Sequence, residues 1–475
     1  MNDHLHVLFS GKPARLPGIG IDFGTSNGSV AVFDGQAVRS LSFGAAGEGD
    51  LMPTALYVDR ERLPTVGQPA VDRYLADNRD RQIKLKKETV GRMEMTVTLG
   101  EGRGDAETIE VDAHAWTDQD LPGRLFRGIK SWLGDPALER VQVFGKSFAL
   151  TALITPVLKE LAARATAARP VPGPVHVGRP VHYVGDSAPA DRTALERMVQ
   201  ACQFAAIGEP VLLNEPVAAA ISYLRSHPLA VGSRYLVFDF GGGTLDLTAL
   251  AVESGGLEVL ANDGTGLGGN RIDQMIYAEK VFPHLGRDLH VYRSSSHQER
   301  KRPFRFDDYA PLLLNWQNTY QLNTPVLRKQ ITEASRTGDE AARQLDRLRT
   351  IVTRNLSYEI LSAIEAAKIR LSREPSVALD FPEIDLHLTL DREEFARILQ
   401  PALADIDALV DRTLEAAETE RSALAGIICT GGSSEIPLIR EHLTRLTGAP
   451  LLRHDAFTGI AAGLAIANAY DLPGS

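Results

Sequence analysis

Hydrophobic and polar positions alternate in short blocks along this chain. Residues 18–33 read as two strands around the turn Gly24-Thr25-Ser26. The pattern returns half a chain later. The apolar run from Arg234 to Phe240 and the run Leu245 to Val252 flank Gly241-Gly242-Gly243-Thr244. An aspartate stands just before each turn, Asp22 in Ile21-Asp22-Phe23-Gly24 and Asp239 in Phe238-Asp239-Phe240-Gly241. A strand, a glycine turn and a strand are thus used twice. Such a duplication predicts two similar lobes closing on one ligand.

Elsewhere the spacing predicts helices over 150–168 (with Pro156 near the start), 191–205, 218–224, 271–282, 340–371, 392–418 and 460–469. Strands are expected within 37–67, interrupted by Pro53 and Pro64, and at 175–181, 211–213, 257–260, 386–390 and 427–429. Residues 78–121 alternate as a small sheet, whereas 284–338 read as irregular. The run Glu299-Arg300-Lys301-Arg302 in that stretch is a solvated face or a docking site. Asn214-Glu215-Pro216 reads as a break and Gly264–Gly269 as a glycine-rich loop. Strands alternating with helices argue an α/β architecture, and no short-period repeat points to a solenoid.

Composition narrows the classes. The 475 residues allow two to four domain-sized units. A net charge of -10 disfavours a general nucleic-acid role. The longest apolar stretches, 148–158 and 460–470, are too short to span a membrane, and residues 1–17 lack the apolar core of a signal peptide. The two cysteines, Cys202 and Cys429, make neither a disulfide framework nor a zinc site and read as small buried hydrophobes. A cytoplasmic monomer is the expectation, with no nucleic acid and no membrane as partner.

The duplicated turn carries the chemistry. A phosphate cradle needs inward-pointing backbone N–H groups and no β-carbon in the way. Gly24, Thr25 and Ser26 meet that need, and Gly241, Gly242, Gly243 and Thr244 meet it more fully. A carboxylate before each turn would repel phosphate on its own. It makes sense if Asp22 and Asp239 hold a magnesium ion through its waters. The bland alternative is two ordinary glycine-rich hairpin turns. There is no Walker loop, no kinase catalytic-loop signature and no H-E-x-x-H pattern.

With these motifs in hand, the chain resembles a known group. Gly20 to Asn27 is similar to the first phosphate segment of the actin, sugar-kinase and heat-shock ATPase superfamily. Asn214 to Tyr223, Asp239 to Asp246, Gly266 to Gly269, Ile364 to Ser372 and Thr430 to Pro437 resemble, in order, the later segments of DnaK-type heat-shock chaperones. The resemblance covers roughly residues 18–472. It implies an actin-like ATPase fold, α/β, with two lobes that each contain a duplicated ribonuclease-H-like core and a smaller outer subdomain. The lobes would be 18–232 (core 18–55 and 150–232, outer part 56–149) and 233–475 (core 233–268 and 388–475, outer part 269–387), after an extension over 1–17.

The resemblance also implies roles. ATP and Mg2+ would be the ligands, with Asp22 and Asp239 beside the hydrated metal. Gly24, Thr25, Ser26, Asn27, Gly241, Gly242, Gly243, Thr244 and Gly269 would contact the nucleotide. Glu215 would bind the metal's water shell or the attacking water, with Thr244 and Asp246 near it. Lys130, four residues before Gly134, matches the family's catalytic lysine; its alternative is a surface lysine on an amphipathic segment. Glu365, Lys368, Ser372, Gly431, Gly432 and Ser433 would contact the adenosine. The family's two base-stacking arginines are replaced by Ile369 and Glu435, which implies weaker or altered base binding. The sequence ends at Ser475, just past the last predicted helix, so an ATPase unit alone, as in YegD-type homologues, is expected. Its lobe closure would be read by a protein partner or client. A sugar-type kinase and a nucleotide-binding scaffold are the alternatives.

Overall fold

The computed structural model describes residues 4–5, 12–43, 49–79, 81–98, 106–169, 173–181, 183, 188–227, 230–253, 256–295, 298–452, 455 and 457–474. Its frame is two mixed sheets of the same design. In the first, β1 (Gly18–Phe23), β2 (Asn27–Phe33) and β3 (Val38–Ser40) form an antiparallel meander. β4 (Val175–Arg179) and β5 (Pro210–Asn214) then add in parallel on the other side of β1. The order is β5-β4-β1-β2-β3.

The second sheet repeats this plan. β6 (Arg234–Phe240), β7 (Leu245–Glu253) and β8 (Gly256–Thr265) are the meander. β9 (Leu424–Thr430) and β10 (Leu451–Leu452) are the parallel additions, giving β10-β9-β6-β7-β8. His4–Leu5 lines the outer edge of β8. The central strands are buried on both faces, which is why Ile19, Ile21 and Phe23 run alongside Leu236, Phe238 and Phe240 in burial if not in place.

Helices pack on these sheets: α1 (Leu150–Ala168), α2 (Ala188–Phe204), α3 (Glu215–Ser226), α4 (Gly269–Ile276), α5 (Ser357–Leu371), α6 (Arg392–Ala416), α7 (Pro437–Thr447) and α8 (Gly459–Ala469). Two of them join the halves. Every residue of α8 is buried, and its backbone lies directly on β1 and α3. A β-carbon on Gly20 would strike the carbonyl of Ala461, and one on Gly463 would strike that of Ala218. Only glycine permits such backbone approach. One apolar cluster therefore takes in Phe33, Leu213 and Val217 together with Val237, Ile428 and Leu464. Polar ties reinforce it. Asn468 accepts from Ile19 N at 2.9 Å and donates to Pro174 O at 2.9 Å. The buried His176 ring bridges Leu472 O (2.9 Å) and Asn468 (3.2 Å).

Several sequence expectations need correction. Asn214-Glu215-Pro216 does end the strand β5, but the helix expected from Ala218 begins earlier: Glu215 opens α3 and Pro216 lies in its first turn, where a missing N–H costs nothing. Gly264 belongs to β8, opposite Asp246. The helix predicted over 340–371 is two, Asp339–Arg354 and α5, divided at Asn355, whose backbone is left-handed (φ 54°). The stretch 284–338 is not irregular. It holds a hairpin, His290–Ser295 with Gln298–Pro303, and helices over Ala310–Leu314 and Pro325–Ala334. The basic run Glu299–Arg302 lies in that hairpin. The small sheet expected over 78–121 is a long hairpin, Leu85–Thr98 with Ala106–Asp118. Residues 99–105 of that stretch lie outside the described residues.

Away from the sheets, the outer parts also touch. Tyr74, on the helix Gln68–Asn78, packs edge-on against Trp316 and Tyr358, with ring centroids at 5.9 and 5.3 Å. Asn355 donates to the Tyr74 hydroxyl (3.2 Å), and Arg127 to that of Tyr358 (3.3 Å). The cleft between the halves is thus closed at its base by helices and bridged near its rim by rings.

Candidate active site

The two glycine turns face each other across this cleft. A β-carbon on Gly243 would lie 2.7 Å from Thr25 Cγ2, and one on Gly242 would overlap the Ser26 hydroxyl. One cavity is lined by both turns, by both aspartates and by Lys130 and Glu215. Twin hairpins from separate sheets thus form the two walls of one site.

Strand ends position the acids. Asp22 is the penultimate residue of β1, opposite Ser29. Asp239 sits near the end of β6, with Asp246 across on β7 and Thr430 across on β9. Glu215 follows β5 as the first residue of α3, where a helix N-terminus favours a negative charge. Lys130 lies on the single turn Ile129–Trp132 and is 4% exposed, so it is not the surface lysine that its residue type would suggest. Its Nζ donates to Glu215 Oε1 at 2.5 Å.

The electrostatics are unbalanced. Burial, with Glu215 nearby, pushes the Asp22 carboxyl up to about 7, against the pull of Lys130. Burial and the charges of Glu215, Asp246 and Asp22 hold Asp239 well above the ordinary carboxylate value. Burial acts against the charge on Lys130, but Glu215 and Asp22 outweigh it and raise the ammonium above its usual value. Four acids thus share one lysine. Asp22 Oδ1 is buried with no hydrogen-bond partner among the described residues. Such an atom costs about 1–3 kcal/mol or more unless something completes it.

The Gly241–Thr244 turn is held from behind. Gly269 N donates to Gly241 O (3.0 Å), Asn270 N to Gly242 O (2.9 Å) and Ser433 Oγ to Gly241 O (3.0 Å). Thr244 donates its hydroxyl to Asp246 Oδ2 at 2.8 Å. Gly264 leaves room for that carboxylate, since a β-carbon there would lie 2.7 Å from Asp246 Oδ1.

Of the residues expected at the phosphates, Gly24, Thr25, Ser26, Asn27 and Gly241–Thr244 all line the cavity, as do Gly431 and Gly432. Gly269 and Ser433 support the turn instead. Lys368 is buried on Asp273, at 2.8 Å, and also donates to Gly269 O at 3.1 Å. Burial lifts the Asp273 carboxyl to about 6, with Lys368 opposing. Ser372 bonds back to Lys368 O, at 3.5 Å. Glu365 lines an adjoining cavity that shares Thr25, Ser26 and Gly243 with the first. Arg370 is committed to Glu374, and Glu435 to Arg440.

Sequence reasoning missed Tyr183, Phe457 and Asp273. Tyr183 is buried in the cavity wall, where desolvation raises its hydroxyl above the usual value. Neither cysteine is near activation: burial pushes Cys202 up to about 12 and Cys429 to about 11.

The profile of the Hsp70 protein family matches residues 133–296 and 340–469. A protein of Deinococcus proteolyticus called chaperone protein DnaK is 27% identical over 443 residues, 90% of this chain and 55% of its own length. An HscA chaperone homologue of Aromatoleum aromaticum is 27% identical over 457 residues, 94% of this chain and 57% of its own. Another, from Acinetobacter baumannii, is 29% identical over 285 residues, 58% and 34% of the respective chains. The chain spans about half the length of most of the curated relatives it matches. Matched over more than half of its residues, the chain belongs to the Hsp70 protein family.

Proposed function

We propose that the cleft binds ATP with Mg2+ and hydrolyses the terminal phosphoanhydride. The observation that carries this reading is the meeting of two acid-led glycine turns over a buried Lys130–Glu215 pair. The architecture supports two lobes, 18–232 and 233–475, each built on a ribonuclease-H-like sheet, with 56–149 and 269–387 as outer parts.

The donor set suits a hydrated divalent cation. Asp22, Asp239, Glu215 and Asp246 bring together more acid groups than Lys130 can balance when ionised, and burial, with the neighbouring acids, holds Asp22 and Asp239 toward their protonated forms. Asp22 Oδ1 has no partner among the described residues. No cluster of three or more acids, histidines or cysteines among the described residues could ligate an ion directly. Asp22 and Asp239 would therefore act through water, as magnesium sites often do. The ion would neutralise charge on the phosphate oxygens.

The chain's own residues do the rest. The N–H groups of Thr25, Ser26 and Gly242–Thr244 would hold phosphate oxygens, while that of Gly241 closes the turn on Thr244 O. Lys130 would neutralise charge that develops on the γ-phosphoryl group and fix the attacking water, with Glu215 orienting that water or the ion's shell. Water oxygen bonds to phosphorus as the bond to the bridging oxygen breaks, and the water's proton leaves to solvent. Such catalysis is mostly positioning and charge stabilisation. Gly431, Gly432 and Glu365 would border the nucleoside, whereas Lys368, Ser372 and Ser433 would shape its pocket from behind.

A partner or client protein would read the lobe angle, which α3 and α8 transmit. No helix among the described residues is long and apolar enough to cross a membrane. The test is phosphate release from ATP by the wild type, Asp22→Asn and Lys130→Ala. Both variants should fall at least about 100-fold, the scale of losing one charge-stabilising group. Wild-type rates in both would remove the assignment, and turnover that appeared only with an added sugar would favour a kinase.

A further inference from the structure

The cavity between the two turns has one feature that the phosphate reading does not use. Phe457 lines it beside Gly431 and Gly432, and the ring is 52% exposed. Asp455 holds Phe457 and Thr458. Asp455 Oδ1 accepts from Phe457 N (2.9 Å) and Thr458 N (3.0 Å), and Oδ2 accepts from the Thr458 hydroxyl (2.7 Å). The aspartate thereby ties down the entry to α8. A β-carbon on Gly432 would lie 3.0 Å from the Phe457 ring, so the ring rests on that glycine.

Large apolar side chains with such exposure are few among the described residues. Phe457 borders the one that also contains Lys130 and both aspartates. Two guanidiniums, one on α5 and one on α7, are engaged with carboxylates. Arg370 makes two bonds to Glu374 (3.1 and 3.0 Å), and Arg440 bonds Glu435 at 3.1 Å. Ile369, 58% exposed on α5, has neither ring nor charge.

We propose that Phe457 is the stacking platform for the nucleobase, so that this chain holds its nucleotide by base–aromatic contact. A ring that is apolar and prepositioned suits the π-face of a purine. The proposal deepens the nucleotide reading of the cleft and rests on it. Phe457 contributes affinity for the nucleoside, while the paired turns contribute affinity for the phosphates.

Calorimetric titration of the wild type, Phe457→Ala and Phe457→Trp with ATP and with inorganic tripolyphosphate, each with Mg2+, separates the two. Phe457→Ala should weaken ATP binding about tenfold, within the range of one lost base–aromatic stack. Its tripolyphosphate affinity should stay within about twofold of the wild type, the expectation for a group that touches only the base. Phe457→Trp should restore ATP binding, and all three proteins should melt at similar temperatures. If Phe457→Ala binds ATP like the wild type, the stacking role is overturned and the triphosphate site stands. Equal losses for ATP and tripolyphosphate would also overturn it, because the ring would then be supporting the phosphate turns. If the wild type binds neither ligand, the nucleotide reading itself fails.

Discussion

Among single residues, Asp22 and Lys130 have the clearest consequences. The Asp22 carboxyl is raised from 3.8 to about 7, first by burial and then by Glu215. A raised carboxyl favours folding while it keeps its proton, and that contribution is lost as pH rises from about 4 through 7. The ligand-free protein should therefore lose stability between pH 4 and 7 more steeply than Asp22→Asn does, as urea melts at each pH would show. Binding of Mg2+ and ATP needs the ionised form, so at pH 6 it should release protons. Calorimetry in two buffers of different ionisation enthalpy reads that release, and a buffer-independent heat would count against it. Lys130 was legible from its distance to Gly134, though its burial was not, because Glu215 is 85 positions away. Asp246 shows the same limit. Its link to Thr244 is local, but the space that Gly264 leaves for it comes from strand pairing.

For the elements, the close contacts around α8 decide most. Gly463→Ala would place a methyl group against the Ala218 carbonyl, where neither backbone can yield easily. The expected cost is about 3 kcal/mol, the upper end of overpacking effects, read as a lower urea midpoint. An unchanged midpoint would mean that α3 and α8 are less tightly apposed than described. Trp316→Ala should be milder in stability, about 1–3 kcal/mol, since it removes a half-buried ring from the Tyr74–Tyr358 cluster. The two sheet meanders were readable from alternation alone. The stretch 284–338 was not. The strands His290–Ser295 and Gln298–Pro303 are mostly polar, with Val291 and Tyr292 adjacent rather than alternating, and no apolar period marks them. The helix Pro325–Ala334 did carry a start signal, with Thr324 capping Leu327 N at 3.2 Å and proline in its first turn, but its short apolar pattern hid it.

For the molecule as a whole, duplication explains why the site lies where it does. Each sheet ends its first two strands in a glycine turn, and the shared apolar seam of α3 and α8 brings those ends together. The paired turns and their acids could be found in the sequence because each is a contiguous motif. Phe457 and Tyr183 could not, because chain segments far apart carry them to the same cavity. The central claim is that one magnesium-bound triphosphate is held from both sides by these turns. A crystal structure of the protein with Mg2+ and a non-hydrolysable ATP analogue tests it most directly. Phosphate oxygens within hydrogen-bonding distance of the N–H groups of both Thr25 and Gly242 or Gly243, with Lys130 beside the terminal group, is the predicted result. A nucleotide touching only one turn, or bound outside the cleft, would contradict it.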